Sequence, residues 1–129
     1  MVVDAIQFLT IPPSREVAEH GLPSELRTWF AATYGAPTQA QRFAWPTLAR
    51  GDNFLLSSPT GSGKTFAAFL PILADILTDA SDDLHCLYVA PLKALCRDVG
   101  VNLKRAWRSI QQAGSFADGD LRIGMRIGD

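Results

Sequence analysis

Disulfides, metal clusters and membrane spans have little to build on in this 129-residue sequence. Two cysteines, Cys86 and Cys96, make no disulfide framework and have no zinc spacing. They read as small buried apolar residues of a protein kept in a reducing compartment. His20 and His85 stand apart without ligand spacing and read as structural or surface residues. The longest apolar run, Phe66 to Ala74, falls far short of the roughly 20 residues that a transmembrane helix needs. The N-terminus carries Asp4 and lacks a basic region followed by an apolar one, so no secretory leader is expected and the cytoplasm is the expected location. A net charge of -1 gives no global basic signature.

What is present points to a soluble globular unit. Apolar residues make up 47% and charged residues 19%, which argues against a disordered chain. The length matches one domain of the usual ~100–200 residues and is enough to bury a core without cross-links. The charge is uneven. Residues 1–85 hold five Lys/Arg against nine Asp/Glu, a net of -4, and residues 86–129 hold seven against four, a net of +3. A polyanion would therefore meet the C-terminal third.

Periodicity divides the chain into a Pro-containing lead-in, residues 1–22, and a patterned region, residues 23–129. Pro23-Ser24 opens a helix with Leu26, Trp29, Phe30 and Tyr34 on one face, ended by Gly35. Thr38 caps a second helix with Phe43, Ala44 and Leu48 inward, bent at Pro46 and stopped near Arg50 by Gly51. Phe54-Leu55-Leu56 reads as a buried strand. Residues 64 to about 77 suit a helix, with a kink expected at Pro71, whose ring opposes the Ala67 carbonyl. Cys86–Ala90 reads as a second strand, Leu92 to about Gln112 as helix, Gly114–Asp120 as loop, and Leu121–Ile127 as a third strand. Alternating strands and helices predict an α/β fold, with a parallel sheet flanked by helices. In such a sheet Ser57–Thr65, Pro91–Leu95 and Gly128-Asp129 would share the carboxyl edge, where ligands bind.

Between the first strand and its helix lies Ser57-Ser58-Pro59-Thr60-Gly61-Ser62-Gly63-Lys64-Thr65. Gly61 and Gly63 allow backbone conformations closed to other residues, which turns amide N–H groups inward. With the positive end of the following helix, the amides of Thr60, Gly61, Ser62 and Gly63 cradle phosphate oxygens. Lys64 brings a point charge to the β/γ-phosphates of ATP, and the Thr65 hydroxyl is placed to ligate Mg²⁺. The strict phosphate-loop pattern has glycine at position 58, where Ser58 stands.

Ser-Pro-Thr-Gly-Ser-Gly-Lys-Thr followed by Phe-Ala-Ala-Phe-Leu-Pro-Ile-Leu resembles motif I of superfamily 2 helicases, the DEAD-box relatives, in which the interior proline recurs. Tyr34-Gly35-Ala36-Pro37-Thr38-Gln39-Ala40-Gln41 resembles their Q motif, Tyr88 to Leu95 resembles motif Ia, and Arg126-Ile127-Gly128-Asp129 resembles the Arg-Thr-Gly-Asp segment. The Pro-Leu-Lys-Ala-Leu wording and the Trp29-Phe30 lead-in are similar to the large helicase-related (Lhr-type) branch. The resemblance covers about residues 22–129. It implies part of a RecA-like lobe, stopping before the motif II strand. It also implies ATP and Mg²⁺ as cofactors, and a DNA or RNA strand as partner.

The resemblance assigns roles residue by residue. Gln41 would read adenine through its donor and acceptor, with Tyr34 packing nearby. Pro91 and Lys93 would touch strand phosphates, with Arg126 and Gly128 on the same track. Lysine at 93 keeps the charge of the family's arginine but loses its fork, and Ile127 loses a hydroxyl. Trp45 and Trp107 read as packing residues.

No apolar run ends in the Asp-Glu of motif II, whose carboxylates hold Mg²⁺ and position water. The expected function is thus the ATP-binding segment of an ATP-dependent helicase or translocase. The alternatives are a non-catalytic nucleotide- or nucleic-acid-binding module and another phosphate-loop NTPase or kinase. Open sheet edges lead one to expect marginal stability or self-association of the isolated chain.

Overall fold

The computed structural model describes residues 5–79, 81–114 and 121–128. Val2, Val3, Asp4, most of the Gly114–Asp120 loop and Asp129 lie outside the described residues. Five helices follow one another: α1 (Arg15–Glu19), α2 (Ser24–Tyr34), α3 (Gln39–Ala49), α4 (Lys64–Thr78) and α5 (Lys93–Ala113).

Local chemistry sets most of the boundaries. Thr38 Oγ1 accepts from the Gln41 amide while Gln41 Oε1 accepts from the Thr38 amide, a reciprocal cap that starts α3. Gly35 and Gly51, at φ 81° and 76°, end α2 and α3 in backbone that favours glycine. Pro46 and Pro71 lie inside α3 and α4 without ending them. Burial explains this for α4, where Ala67, Phe69, Leu70, Leu73 and Ala74 are all interior. Within the lead-in, Ser14 caps α1 by accepting from the Val17 amide, and the Arg42 side chain on α3 donates to the Pro13 carbonyl at 2.7 Å.

The core joins α1 to α5. α3 packs on α4, α1 on α3 and α5 on α2. Leu26, Trp29 and Phe30 meet Trp45, Leu70, Leu73, Trp107 and Ile110 in one cluster, with Ala18 and Leu22 of the lead-in. Trp45 and Trp107 are packing residues, as the sequence suggests. The inward face of α3 is displaced from the expected one: Ala40, Gln41, Ala44 and Trp45 are buried, while Phe43 and Leu48 are half-buried.

The α/β expectation is overturned. Among the described residues there is no strand and no sheet, and every regular element is a helix. Phe54-Leu55-Leu56, Cys86–Ala90 and Leu121–Ile127 have no ladder partners there. A strand exists only through hydrogen bonds to a neighbour, and these runs are too short to have an intrinsic preference that would replace one. The core is closed by helices and aromatic rings, so the runs lie at its margin or outside it: Leu55 is 94% exposed and Val89 81%. The shared sheet edge and the self-association route through sheet edges fall with the sheet. The runs keep side-chain contacts. Tyr88 packs on Phe69 with ring centroids 5.6 Å apart, Leu121 touches the core, and Arg122 pairs with Asp82. No described helix is long and apolar enough to cross a membrane.

Leu70 is fully buried at the α3–α4 contact level of the core. Leu70→Ala is expected to lower unfolding free energy by about 2–5 kcal/mol, the range for truncating a buried leucine. Denaturant titration followed by helical circular dichroism measures it; a change below about 1 kcal/mol would show that the site is not packed as described.

Candidate functional site

The phosphate loop runs into α4 through Gly63, which occupies the N-cap position with φ 80° and ψ 25°. An N-cap glycine brings no side-chain oxygen, and the first turn of α4 carries no acidic residue. The amides at this helix start are therefore left for an anion, with the helix dipole adding positive potential. Gly61 is also left-handed, at φ 81°.

Two contacts close the loop on itself. Lys64 Nζ donates to the Ser58 carbonyl at 2.7 Å, and the Ser58 and Ser62 hydroxyls are 2.6 Å apart. Ser58 thus has a use where the strict pattern has glycine. Its hydroxyl ties the first half of the loop to the second.

A further pair of contacts fixes the loop to α3. Gln41 Nε2 donates to the Gly63 carbonyl at 3.2 Å, and Trp45 Nε1 donates to the Phe66 carbonyl at 2.9 Å. Gln41 and Trp45 are four residues apart and so lie on one face of α3. Gln41 is 3% exposed with both ends of its amide bonded. After those bonds the amide keeps one hydrogen and one lone pair. Gly63 is doubly required. A Cβ there would lie 2.5 Å from Gln41 Nε2, in addition to its left-handed backbone, whereas a Cβ on Gly61 would meet nothing.

Tyr34 is half exposed and packs on Phe66 and Phe30 at 5.1 Å each. Partial burial raises its phenol pKa, and the Arg105 guanidinium opposes that shift. Thr65, Tyr34, Phe66, Asn102 and Arg105 line a cavity of about 410 Å³. Thr65 thus follows the loop directly in the chain and lies on the wall of that cavity. Mg²⁺ is held by one or two carboxylates with waters and substrate phosphates, so the Thr65 hydroxyl would supply one ligand of such a set and not the whole of it. Among the described residues there is no cluster of three or more His, Cys, Asp or Glu to hold a metal by itself.

The structure thus brings together Thr38, Gln41 and the loop from Ser58 to Thr65, with Tyr34 next to Phe66. Pro91, Lys93, Arg126 and Gly128 are exposed and take no part in the hydrogen bonds of that clasp. Arg105 and Asn102 escaped sequence reasoning, because nothing in the α5 pattern says that this helix faces α2 and Thr65. The Trp45 bond was legible only as the i+4 neighbour of Gln41. Burial pushes the Cys86 thiol up, which fits a structural cysteine.

The family model described as DEAD/DEAH box helicase matches residues 38–122. The chain is 41% identical over 108 residues to the ATP-dependent helicase Lhr-Core of Methanothermobacter thermautotrophicus, covering 78% of this chain and 12% of that protein. It is 41% identical over 109 residues to the Lhr helicase/probable uracil glycosylase of Mycolicibacterium smegmatis, covering 80% of this chain and 7% of that protein. It is 32% identical over 133 residues to an ATP-dependent helicase Lhr-Core of Methanocaldococcus jannaschii, covering 96% and 16% respectively. The chain therefore spans only a small part of the length of these relatives. No solved structure matches it.

The clasp makes a coupling prediction. Gly61→Ala meets only the left-handed penalty of about 1–2 kcal/mol. Gly63→Ala adds displacement of the Gln41 amide and is expected to cost more. Gln41→Ala alone costs about 1–2 kcal/mol through the lost cap and the lost Gly63 bond. In the Gln41→Ala/Gly63→Ala double variant the clash is gone, so its cost falls below the sum of the singles by at least about 0.5 kcal/mol. Strict additivity in denaturant titrations would remove the Gln41–Gly63 contact.

Proposed function

We propose that this chain, which belongs to the DEAD/DEAH box helicase family, supplies the ATP-gripping segment of an ATP-dependent nucleic-acid helicase or translocase. The observation that carries the reading is the uncapped start of α4 at left-handed Gly63, clasped by Gln41 and closed by Lys64 and Ser58. In this reading the Gly61 and Gly63 amides take phosphate oxygens, the Ser62 amide joins them by giving up its 3.3 Å bond to the Pro59 carbonyl, and Thr60 leads the chain into that cradle. Lys64 exchanges the Ser58 carbonyl for the β/γ-phosphates, a trade of a neutral acceptor for charged ones that strengthens the bond.

Thr65 would hold Mg²⁺ together with the nucleotide; the ion would supply positive charge against the phosphates. Gln41 is the base-reading residue, through the hydrogen and lone pair left after its bonds to Gly63 and Thr38. Tyr34 offers a half-exposed ring beside Phe66 for the base to lie against. Pro91, Lys93, Arg126 and Gly128 form the contact track for the backbone of a DNA or RNA strand. A cytoplasmic setting goes with this reading.

Two measurements test it. A fluorescent ATP analogue titrated in the presence of Mg²⁺ is expected to bind saturably, and Lys64→Ala to abolish that binding. Equal affinity in the variant would remove the phosphate-loop assignment. Lys93→Ala is expected to weaken strand binding about equally across base sequences and to flatten the log–log salt dependence by about one unit, as one lost phosphate contact does. A loss that depends on base sequence would argue against a backbone contact.

A further inference from the structure

A concavity outside the clasp lies along α5. Val101, Lys104, Arg105, Arg108, Ser109 and Gln112 line a shallow trough of about 530 Å³. Their spacings of three, four, seven and eight residues put them on one helical face, and Arg97 falls on the same face one turn earlier. Asp98 is the single acidic residue among the 21 of α5, which carries five Lys or Arg. Lys104, Arg105 and Arg108 form no ion pair with a carboxylate among the described residues. Cations held together without counter-charges raise the local potential and attract a polyanion.

The trough is not isolated. Arg105 and Ser109 also line the cavity that holds Thr65 and Tyr34, so one continuous surface leads from the start of α4 to the second half of α5. Ser109 Oγ accepts from Trp29 Nε1 at 2.9 Å, which leaves its hydroxyl hydrogen to donate outward.

The lining distinguishes between polyanions. Protein partners are anchored by buried aromatic and apolar side chains; Val101 is the single apolar residue of the lining, whose other apolar surface belongs to the stems of the long polar side chains. Arginine forks, a lysine, a hydroxyl and an amide are the donor set that grips sugar–phosphate backbone. From Arg97 to Arg108 the cations extend over about 17 Å at 1.5 Å rise per residue, long enough to serve several phosphates of one strand.

We infer that this face of α5 is a second nucleic-acid backbone site, one that holds the strand away from the Pro91–Lys93 turn without reading its bases. It rests on the reading that the chain handles nucleic acid, but not on nucleotide binding.

The test uses the whole chain and a fluorescein-labelled oligothymidylate, with oligouridylate as the RNA counterpart, followed by anisotropy over a salt series. Lys104→Gln/Arg108→Gln keeps helix-forming, exposed side chains, and unchanged helical circular dichroism verifies the fold. The expected result is a salt slope flatter by about 1.4 units, two contacts at about 0.7 each for a single strand. Binding of the ATP analogue is expected to be unchanged in the same variant.

An unchanged slope overturns the inference. So does displacement of the oligonucleotide by polyglutamate as efficiently as by unlabelled strand, which would make the face a docking surface for acidic protein. A chain that fails to bind nucleotide yet shows the predicted slope change would remove the ATP reading and support the α5 site.

Discussion

The arrangement depends on one pair of hydrogen bonds, from Gln41 and Trp45 on α3 to the Gly63 and Phe66 carbonyls at the start of α4. Capping a helix start through its amides would close it to an anion, and here, among the described residues, only the Ser62 amide of the loop is taken, by the Pro59 carbonyl. Fixing it through carbonyls avoids the conflict. The Gly63 carbonyl still accepts from the Ala67 amide at 3.0 Å, so the Gln41 bond uses its second lone pair without breaking the helix. The missing Cβ at Gly63 is what lets the Gln41 amide come so close. Glycine at 63 and glutamine at 41 thus satisfy one steric requirement from its two sides.

The same pair of bonds ties the clasp to the core. Trp45 is 1% exposed and packs edge-on against Phe30, whose centroid is 5.2 Å away. Its indole nitrogen would be costly to bury without a partner, and the Phe66 carbonyl removes that cost. Phe66 in turn packs against Trp29, Phe30 and Tyr34. The hydrophobic interior and the loop geometry are therefore linked through two residues of α4's first turn. A change in either aromatic layer or loop reaches the other across about one helical turn.

α2 to α5 were legible from their periodicity and from ends that are partly written locally, whereas α1, inside the lead-in, was not foreseen. Thr38 with Gln41, Gly35 and Gly51 specify starts and stops by their own side-chain chemistry or lack of it. The turn of the loop before α4 was legible for the same reason, since Gly61 and Gly63 stand where φ is positive. The strands were not decided locally. Phe54-Leu55-Leu56 has the apolar run of a buried strand, but whether it pairs depends on a neighbour and on what else closes the core. Here Trp29, Trp45, Trp107 and the leucines of α4 close it without that run. The face of α3 was misplaced by a similar argument. Counting apolar residues selects Phe43, Ala44 and Leu48, of which only Ala44 is buried, whereas burial otherwise follows Gln41 and Trp45, whose polar atoms have partners at the start of α4. Arg105 and Asn102 could not be found from the sequence, because their importance comes from the packing of α5 on α2.

The two cationic features of the surface attract anions by different physics. At α4 the positive potential comes from oriented amides and a helix end, held in place by Gln41 and already organised before a ligand arrives. Such fixed dipoles need little rearrangement and act at short range. Along α5 it comes from long, exposed side chains, whose effect reaches only about 8–10 Å in salt and is paid for partly in side-chain entropy. The first arrangement suits a compact, highly charged phosphate group and gives position. The second suits an extended backbone whose counterions are released on contact, and gives affinity that falls with salt. The charge asymmetry of the chain, -4 before residue 86 and +3 from it onward, separates the two along the sequence. Arg105 is the point where they meet, next to the Tyr34 phenol and on the wall shared by both cavities. A strand seated on α5 would change the electrostatic surroundings of that guanidinium. Arg105 and Thr65 line the same smaller cavity, so that guanidinium is the charged group common to the α5 trough and the start of α4.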